Sequence, residues 1–386
     1  MPRLEEEQRK MVVLVLGLSQ TISWASSYYL PAILAQPMAA SFGVSPVWVF
    51  TAFSLALVVS ATVGPWAGTQ IDRKGGRNTL ILSNIVLALG LALMSAAPSI
   101  LVLLCAWLIV GVGMGIGLYE AAFATVTRIY GSGARGAITG ITLIAGFAST
   151  VGWPISALGL ETWGWRMTCL GWALAHICLA VPLNMLLPQE RISVRPAAAV
   201  PASDGQPTRS ALWLLAVVFA ATWFNSTAMA AHLPGLLQAA GASQVVAIGA
   251  AALVGPAQVA ARLLEFRLLR RFHPLTTARI AAAAHPAAAV VLASVGAPAS
   301  YFFTAIHGAG NGVLTIAKGT LPLVLFGPVG YGKRLGWLNA PSRIVQAAAP
   351  LSFGAALAAW GPHAVWLSAA VGMAAMLALV ALRRRP

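Results

Sequence analysis

Five ionisable side chains fall well inside apolar stretches, where no loop carries them to water: Glu120, Arg262, His307, Lys318 and Arg343. A charge within lipid costs about 2.5–3.5 kcal/mol on insertion scales unless it is paired or lines a hydrated cavity, so each is a candidate for binding or moving charge. Arg343 lies roughly eight residues into its segment, about 12 Å from the start, too deep for easy snorkelling. A guanidinium can hold a carboxylate through two parallel hydrogen bonds, and two guanidiniums facing one cavity repel unless an anion lies between them. The other chemistry on offer is proton transfer, for which Glu120 and His307 are the candidates; a neutral hydrogen-bonding histidine fits His307 equally well. Enzyme chemistry lacks its parts. There is no GxxxxGK[ST] phosphate loop, no HExxH and no Cys/His metal spacing, and Cys105, Cys169 and Cys178 sit unpaired in apolar segments. No cofactor or metal is expected.

The elements that hold these residues follow from composition. Of 386 residues, 59% are hydrophobic and only 9% charged, with a mean hydropathy of +0.82. A soluble surface is about 25–35% charged, so lipid must cover most of this one. A bilayer crossing takes about 20 helical residues. Segments of that kind fall near 11–33, 46–68, 78–97, 99–123, 136–159 and 166–187, then near 211–233, 243–266, 275–296, 299–322, 336–358 and 363–382. The expected fold is an all-α membrane protein with twelve transmembrane helices in two pseudo-symmetric six-helix bundles, 1–187 and 211–386, joined by a Pro/Ser/Ala-rich cytoplasmic linker, 188–210.

Charge supports that count. The net charge is +15, but Lys and Arg come in short bursts between apolar runs and form no single basic face, which argues against nucleic acid. They cluster at the N-terminus (Arg9, Lys10), in every even connection (Arg73, Lys74, Arg77; Arg128, Arg135; Arg191, Arg195, Arg209; Arg267, Arg270, Arg271; Lys333, Arg334) and at Arg383, Arg384 and Arg385. The positive-inside rule then places both termini in the cytoplasm of a bacterial-type inner membrane. The halves also echo each other: Leu30-Pro31 recurs at Leu233-Pro234, and the Gly111, Gly113, Gly115 series recurs at Gly308, Gly310, Gly312.

The turn after the second segment reads Gly68-x-x-x-Asp72-Arg73-x-Gly75-x-Arg77. With Arg135-Gly136-x-x-x-Gly140, the glycine-rich Gly146 to Gly159 stretch, the helix count and the central linker, it resembles the major facilitator superfamily of transporters. In that light Gly68, Asp72, Arg73 and Arg77 form a conformational latch, with Asp72 neutralised by arginines of this turn or of a neighbouring helix. The other view of the basic residues is that they anchor the loop to anionic lipid. Gly111-x-x-x-Gly115 and Gly113-x-x-x-Gly117 allow close helix approach. Trp107 stands where many proton-driven drug exporters of the superfamily carry arginine, and the first helix lacks an acidic residue, which speaks against their usual antiport machinery. The stretch GPAQVAARLLE resembles helix eight of the monocarboxylate and oxalate transporters. That resemblance assigns anion binding to Arg262 and Arg343; alternatively Glu265, three positions on, neutralises Arg262.

Polar groups of the first helix, among them Gln20, Trp24 and Tyr28, recur at spacings of three and four and define a stripe able to contact cargo, joined by Asn311. Glu120 and Lys318 occupy near-equivalent places in the two halves and can pair as a gate; alternatively Glu120 pairs with Arg128. The expected function is secondary active transport of a small, monocarboxylate-like organic anion by alternating access, by a monomer coupled to protons and surrounded by lipid. The alternative is proton-linked export of drug-like or amphipathic metabolites.

Overall fold

The computed structural model describes residues 2–189, 209–268 and 271–382. Residues 190–208 of the predicted linker, Arg270 and Arg383 to Arg385 lie outside them. Among the described residues all regular structure is helical. The first half of the chain contributes α1 (Pro2–Ser26), α2 (Pro31–Ser41), α3 (Val47–Lys74), α4 (Arg77–Ala96), α5 (Ile100–Gly117), α6 (Tyr119–Tyr130), α7 (Arg135–Ala145), α8 (Ala148–Ala175) and α9 (Val181–Met185). The second contributes α10 (Arg209–Ala239), α11 (Gln244–Ala252), α12 (Val254–Arg267), α13 (Pro274–Val295), α14 (Ser300–Phe326), α15 (Tyr331–Trp360) and α16 (Val365–Ala381).

Long apolar runs drive these helices, and local signals end them. Ser99 and Ser243 cap α5 and α11 by accepting the Val102 and Val246 N–H groups. Glycines with positive φ, among them Gly75 and Gly327, close α3 and α14. Eight helical runs among the described residues are long and apolar enough to cross a bilayer. Two of them, Ile100–Met185 with 86 residues and Tyr331–Ala381 with 51, far exceed one crossing of about 20 residues. Both are subdivided: a short 3-10 turn separates α6 from α7, Gly164 turns α8 with φ 78°, and a second 3-10 turn separates α15 from α16. The chain is therefore an all-α, multi-spanning membrane protein.

Packing repeats between the halves. α5 packs on α3 and α4, α8 on α4 and α1; correspondingly α14 packs on α12 and α13, α16 on α13 and α10. Glycines set the helix spacing within the first half, as the sequence pattern predicts. An added Cβ on Gly115 would lie 2.8 Å from the Ser60 carbonyl of α3, and one on Gly113 2.7 Å from Leu87 of α4. The halves meet chiefly where α3 packs on α15, and where α7 packs on α12 and α14. At the first of these seams a Cβ on Gly68 would overlap the Gly332 carbonyl, and one on Gly332 would lie 2.5 Å from the Gly68 carbonyl. The two backbones touch because neither residue has a side chain.

Gly68→Val should therefore hold this seam open. In a background free of Cys105, Cys169 and Cys178, a cysteine at the buried Leu335 of α15 should react with a water-soluble maleimide about tenfold faster in the Gly68→Val protein than in its Gly68 parent. Equal labelling rates would show that the seam does not depend on this contact.

Candidate functional site

The helix of α5 breaks at Gly117-Leu118 and resumes as α6, and Gln20 sustains the break: its Nε2 donates to the freed Gly117 carbonyl at 2.6 Å. Glu120 thereby occupies the first turn of α6, where the helix macrodipole favours a carboxylate. Facing it from α15 is Arg343, whose Nη2 lies 3.1 and 3.2 Å from the two carboxylate oxygens. Arg343 is 3% exposed and Glu120 19%. The chain of contacts continues from Arg343 Nη1 to Gln346 Oε1 (3.2 Å), from Gln346 Nε2 to the Tyr28 hydroxyl (3.0 Å), and from that hydroxyl to Thr227 Oγ1 (2.9 Å). It crosses between the halves three times.

Aromatic rings surround this chain. Trp24 of α1 and Trp223 of α10 stack across the interface with centroids 5.8 Å apart and planes 13° apart. Tyr119 packs on Trp24, and Phe123 stacks on Tyr119. The Arg343 guanidinium carbon sits 4.8 Å from the Trp223 ring centre, and Lys318 Nζ sits 3.4 Å from it on the same ring system. Two small cavities flank Glu120. One, of about 10 Å³, is lined by Tyr119, Phe123, Trp223, Lys318 and Asn339; the other, of about 20 Å³, by Ser60, Gly64, Gly336 and Arg343. Each is on the scale of one water molecule, so the described conformation is closed around its own polar groups. A larger groove of about 340 Å³ lies between α1 and α8, lined by groups such as Ile22, Val151, Trp163 and Leu179. It is apolar and contains none of the predicted site residues.

Several expected pairings are replaced by others. Glu120 pairs with Arg343, not with Lys318, because Lys318 is drawn over the face of Trp223. Arg128 donates instead to the Asp72 carbonyl. Arg262 does not pair with Glu265. Its Nη1 donates to the Thr142 carbonyl (3.2 Å) at the C-terminal end of α7, its Nε to the Gly312 carbonyl and its Nη2 to Gln258. Glu265 instead binds Arg135 of α7 at 3.2 Å. Arg262 and Arg343 thus do not face one another across one anion. Asn311 donates to Ser226 of α10 (3.1 Å), and His307 meets His285 of α13.

At the α3–α15 seam, Asp72 accepts the backbone N–H groups of Gly332 (2.9 Å) and Lys333 (2.8 Å). The carboxylate caps the N-terminus of α15, where unpaired N–H groups and the macrodipole both favour it. Arg73 is exposed and Arg77 half-buried; the hydrogen bonds of the carboxylate go to a helix end, and Arg128 of the neighbouring α6 and Arg334 of α15 act on it electrostatically.

Trp223, Gln346, Tyr119, Thr227 and His285 belong to these clusters, and no motif in the sequence marks them. Trp223 had a signal: it lies 199 positions after Trp24, within the offset that relates the other echoes of the two halves. Gln346, three residues after Arg343, had only helical spacing to recommend it.

The profile described as Major Facilitator Superfamily matches residues 16–317. Over 125 residues, 32% of the chain, the sequence is 35% identical to a protein of Mycobacterium tuberculosis named "Multidrug resistance protein B homolog". The matched stretch is only 21% of that relative's length. The structure superposes on the proton:xylose symporter XylE with a TM-score of 0.77 and 13% identity, covering 98% of this chain and 96% of that one. On the human organic anion transporter MFSD10 (TETRAN) the TM-score is 0.73 at 17% identity, covering 97% and 99%. At these identities the likeness is one of fold.

Removing one member of the Glu120–Arg343 pair should leave a buried charge unmatched and destabilise the protein by about 3–5 kcal/mol. Removing both, as Glu120→Gln with Arg343→Met, should recover most of that loss. Thermal unfolding of the two single variants and the double variant in detergent checks this, and additive losses would show that the pair is not energetically coupled.

Proposed function

This chain belongs to the Major Facilitator Superfamily, and from that membership we propose that it exports amphipathic, drug-like molecules across a bacterial inner membrane in exchange for protons. Membership makes it a secondary transporter working by alternating access, with no enzymatic step. We further infer twelve crossings, both termini in the cytoplasm, and two bundles, 1–187 and 211–386, that rock about the central cluster as a monomer.

The observation that carries the cargo class is that Arg343 already has its counter-ion. With Glu120 against it, Arg343 is not an open anion site, and the free chemistry of the centre is aromatic: Trp24, Tyr119, Phe123 and Trp223 present faces to any molecule that separates them. The named relative, a multidrug resistance protein homolog, supports the same class. Cargo enters when the halves part on one side. A ring inserts where Trp24 and Trp223 now stack, and a polar group engages Arg343 and Lys318. Because Glu120 and Arg343 come from different halves, this exchange of partners is also what frees the halves to move. The contacts of Asp72 with α15 and of Arg135 with Glu265 lie at the cytoplasmic connections; they part to admit cargo and seal that face again while cargo leaves on the other side.

A small organic anion remains the second reading, favoured by one feature. Arg262, Lys318 and Arg343 bring three basic groups near the centre against the single carboxylate of Glu120, so a carboxylate cargo has a ready substitute role. Proteoliposome flux separates the two. Sulfofluorescein, an impermeant aromatic anion, and chloramphenicol, a neutral aromatic, should both be transported, and Trp223→Ala should weaken their apparent affinity about tenfold. Lactate should not be moved. Lactate transport that is abolished by Arg343→Gln, with no flux of either aromatic probe, would replace this reading by the second.

A further inference from the structure

Each half of the molecule buries a histidine among the helices that correspond in the repeated packing, and the two surroundings differ. In the first half, His176, just after α8, has both ring nitrogens engaged: Nε2 with Ser26 of α1 and Nδ1 with Asn84 of α4, each at 2.7 Å. In the second half, His285 of α13 faces a second histidine, His307 of α14. Their Nδ1 atoms are 3.1 Å apart and the rings meet edge to face at 4.7 Å. Both are 2% exposed. Three buried polar atoms here lack any partner: His285 Nε2, Asn225 Oδ1 on α10 and Thr304 Oγ1. Thr304 precedes His307 by three residues, on the same helix face. A Cβ placed on Gly372 of α16 would lie 2.7 Å from His285 Cβ and 3.6 Å from Asn225 Nδ2, so Asn225 belongs to the same cluster. Its amide nitrogen is spent on the Ser368 carbonyl at 3.1 Å, which leaves its oxygen open.

Two facing Nδ1 atoms at this distance require one N–H donor and one lone pair. Buried N–H groups without a partner are rarer than unpaired acceptors, which assigns Nδ1–H to His285 and a lone pair to its unpartnered Nε2. One proton can add to that lone pair, forming one N–H bond and breaking none. The charge is then shared through a strengthened Nδ1–H···Nδ1 bond. A second proton would set N–H against N–H and force the rings apart, so the pair has a capacity of one. The open oxygens of Asn225 and Thr304 are acceptors of the kind a charged imidazole needs away from water. No carboxylate among the described residues approaches the pair. The cations of neighbouring elements are directed elsewhere: Arg262 of α12 to the Gly312 carbonyl, Arg279 of α13 to carbonyls at the end of α16, and Lys318 to Trp223 about 16 Å further along α14. His176, by contrast, already has a hydrogen-bond partner at each ring nitrogen.

The geometry points to His285 and His307 as the joint binding site for the single proton exchanged against cargo, an inference that rests on the proton-linked export proposed above. Glu120, the other titratable candidate, is held by Arg343. The pair is linked to the transport path by α14, which carries His307, Asn311 and Lys318 toward the interface.

Two measurements test this. In proteoliposomes, His285→Gln and His307→Gln should each reduce sulfofluorescein accumulation driven by a pH gradient at least about tenfold, while leaving counterflow exchange within about twofold of wild type. Retained gradient-driven accumulation would overturn the proposal. Independently of any cargo, nitrogen NMR of ¹⁵N-histidine-labelled protein in nanodiscs should show the two rings taking up one proton together on acidification. A pair that stays neutral down to about pH 5 overturns the proposal. If the wild type moves no probe at all, the export reading fails by itself, and the NMR titration still decides whether the pair binds a proton.

Discussion

Arg343 cannot stand alone. It is almost fully buried in a chain that spans lipid, and a guanidinium there must meet an opposite charge or open to water. The group that meets it, Glu120, belongs to the other half of the chain. Neutralising this one charge therefore requires the halves to be together at the centre, and any molecule that offers Arg343 a different partner loosens that requirement. The break between α5 and α6, the Gln20 contact that sustains it and the aromatic wall around it can all be understood as ways of presenting Glu120 at that point.

The seams around the centre obey a related rule. Asp72 caps the N-terminus of α15, and Arg262 meets a carbonyl at the C-terminal end of α7, each reaching across the interface to the helix end of complementary sign. Contacts of a charged side chain with a helix end contribute on the order of 0.3–1 kcal/mol near a surface, and somewhat more when partly buried. That is strong enough to bias a conformation and weak enough to be broken each cycle. Direct backbone contact at Gly68 and Gly332 makes this closure all-or-none, because packed helices interlock or separate with little in between.

The two halves share a packing plan and differ in polarity. Corresponding helices in each half bury a histidine, an amide and a serine group, yet one cluster is fully bonded and the other retains unpaired atoms. Satisfied polar networks make a bundle rigid, whereas unsatisfied ones mark places where something else is expected to bind.

The sequence by itself determined the class. Too few charges to cover a soluble surface, apolar runs near the length of a bilayer crossing, and the Gly68 to Arg77 turn together led to an all-α membrane transporter, because hydropathy and glycine spacing are local properties readable along the chain. It also identified Glu120, Lys318 and Arg343 as charges with no easy route to water, and Trp24 and Tyr28 as members of a polar stripe on the first helix. Their partners were decided only by the tertiary structure. Glu120 lies 223 positions from Arg343, Asp72 lies 260 from Gly332, and Arg262 lies 120 from Thr142. Local rules offered the nearer pairs, Arg262 with Glu265 and Glu120 with Arg128, as alternatives, and neither forms once helix packing brings distant groups closer. A buried charge pairs with whatever the fold sets against it, and that choice depends on how the helices of the two halves meet, which no single stretch of sequence encodes.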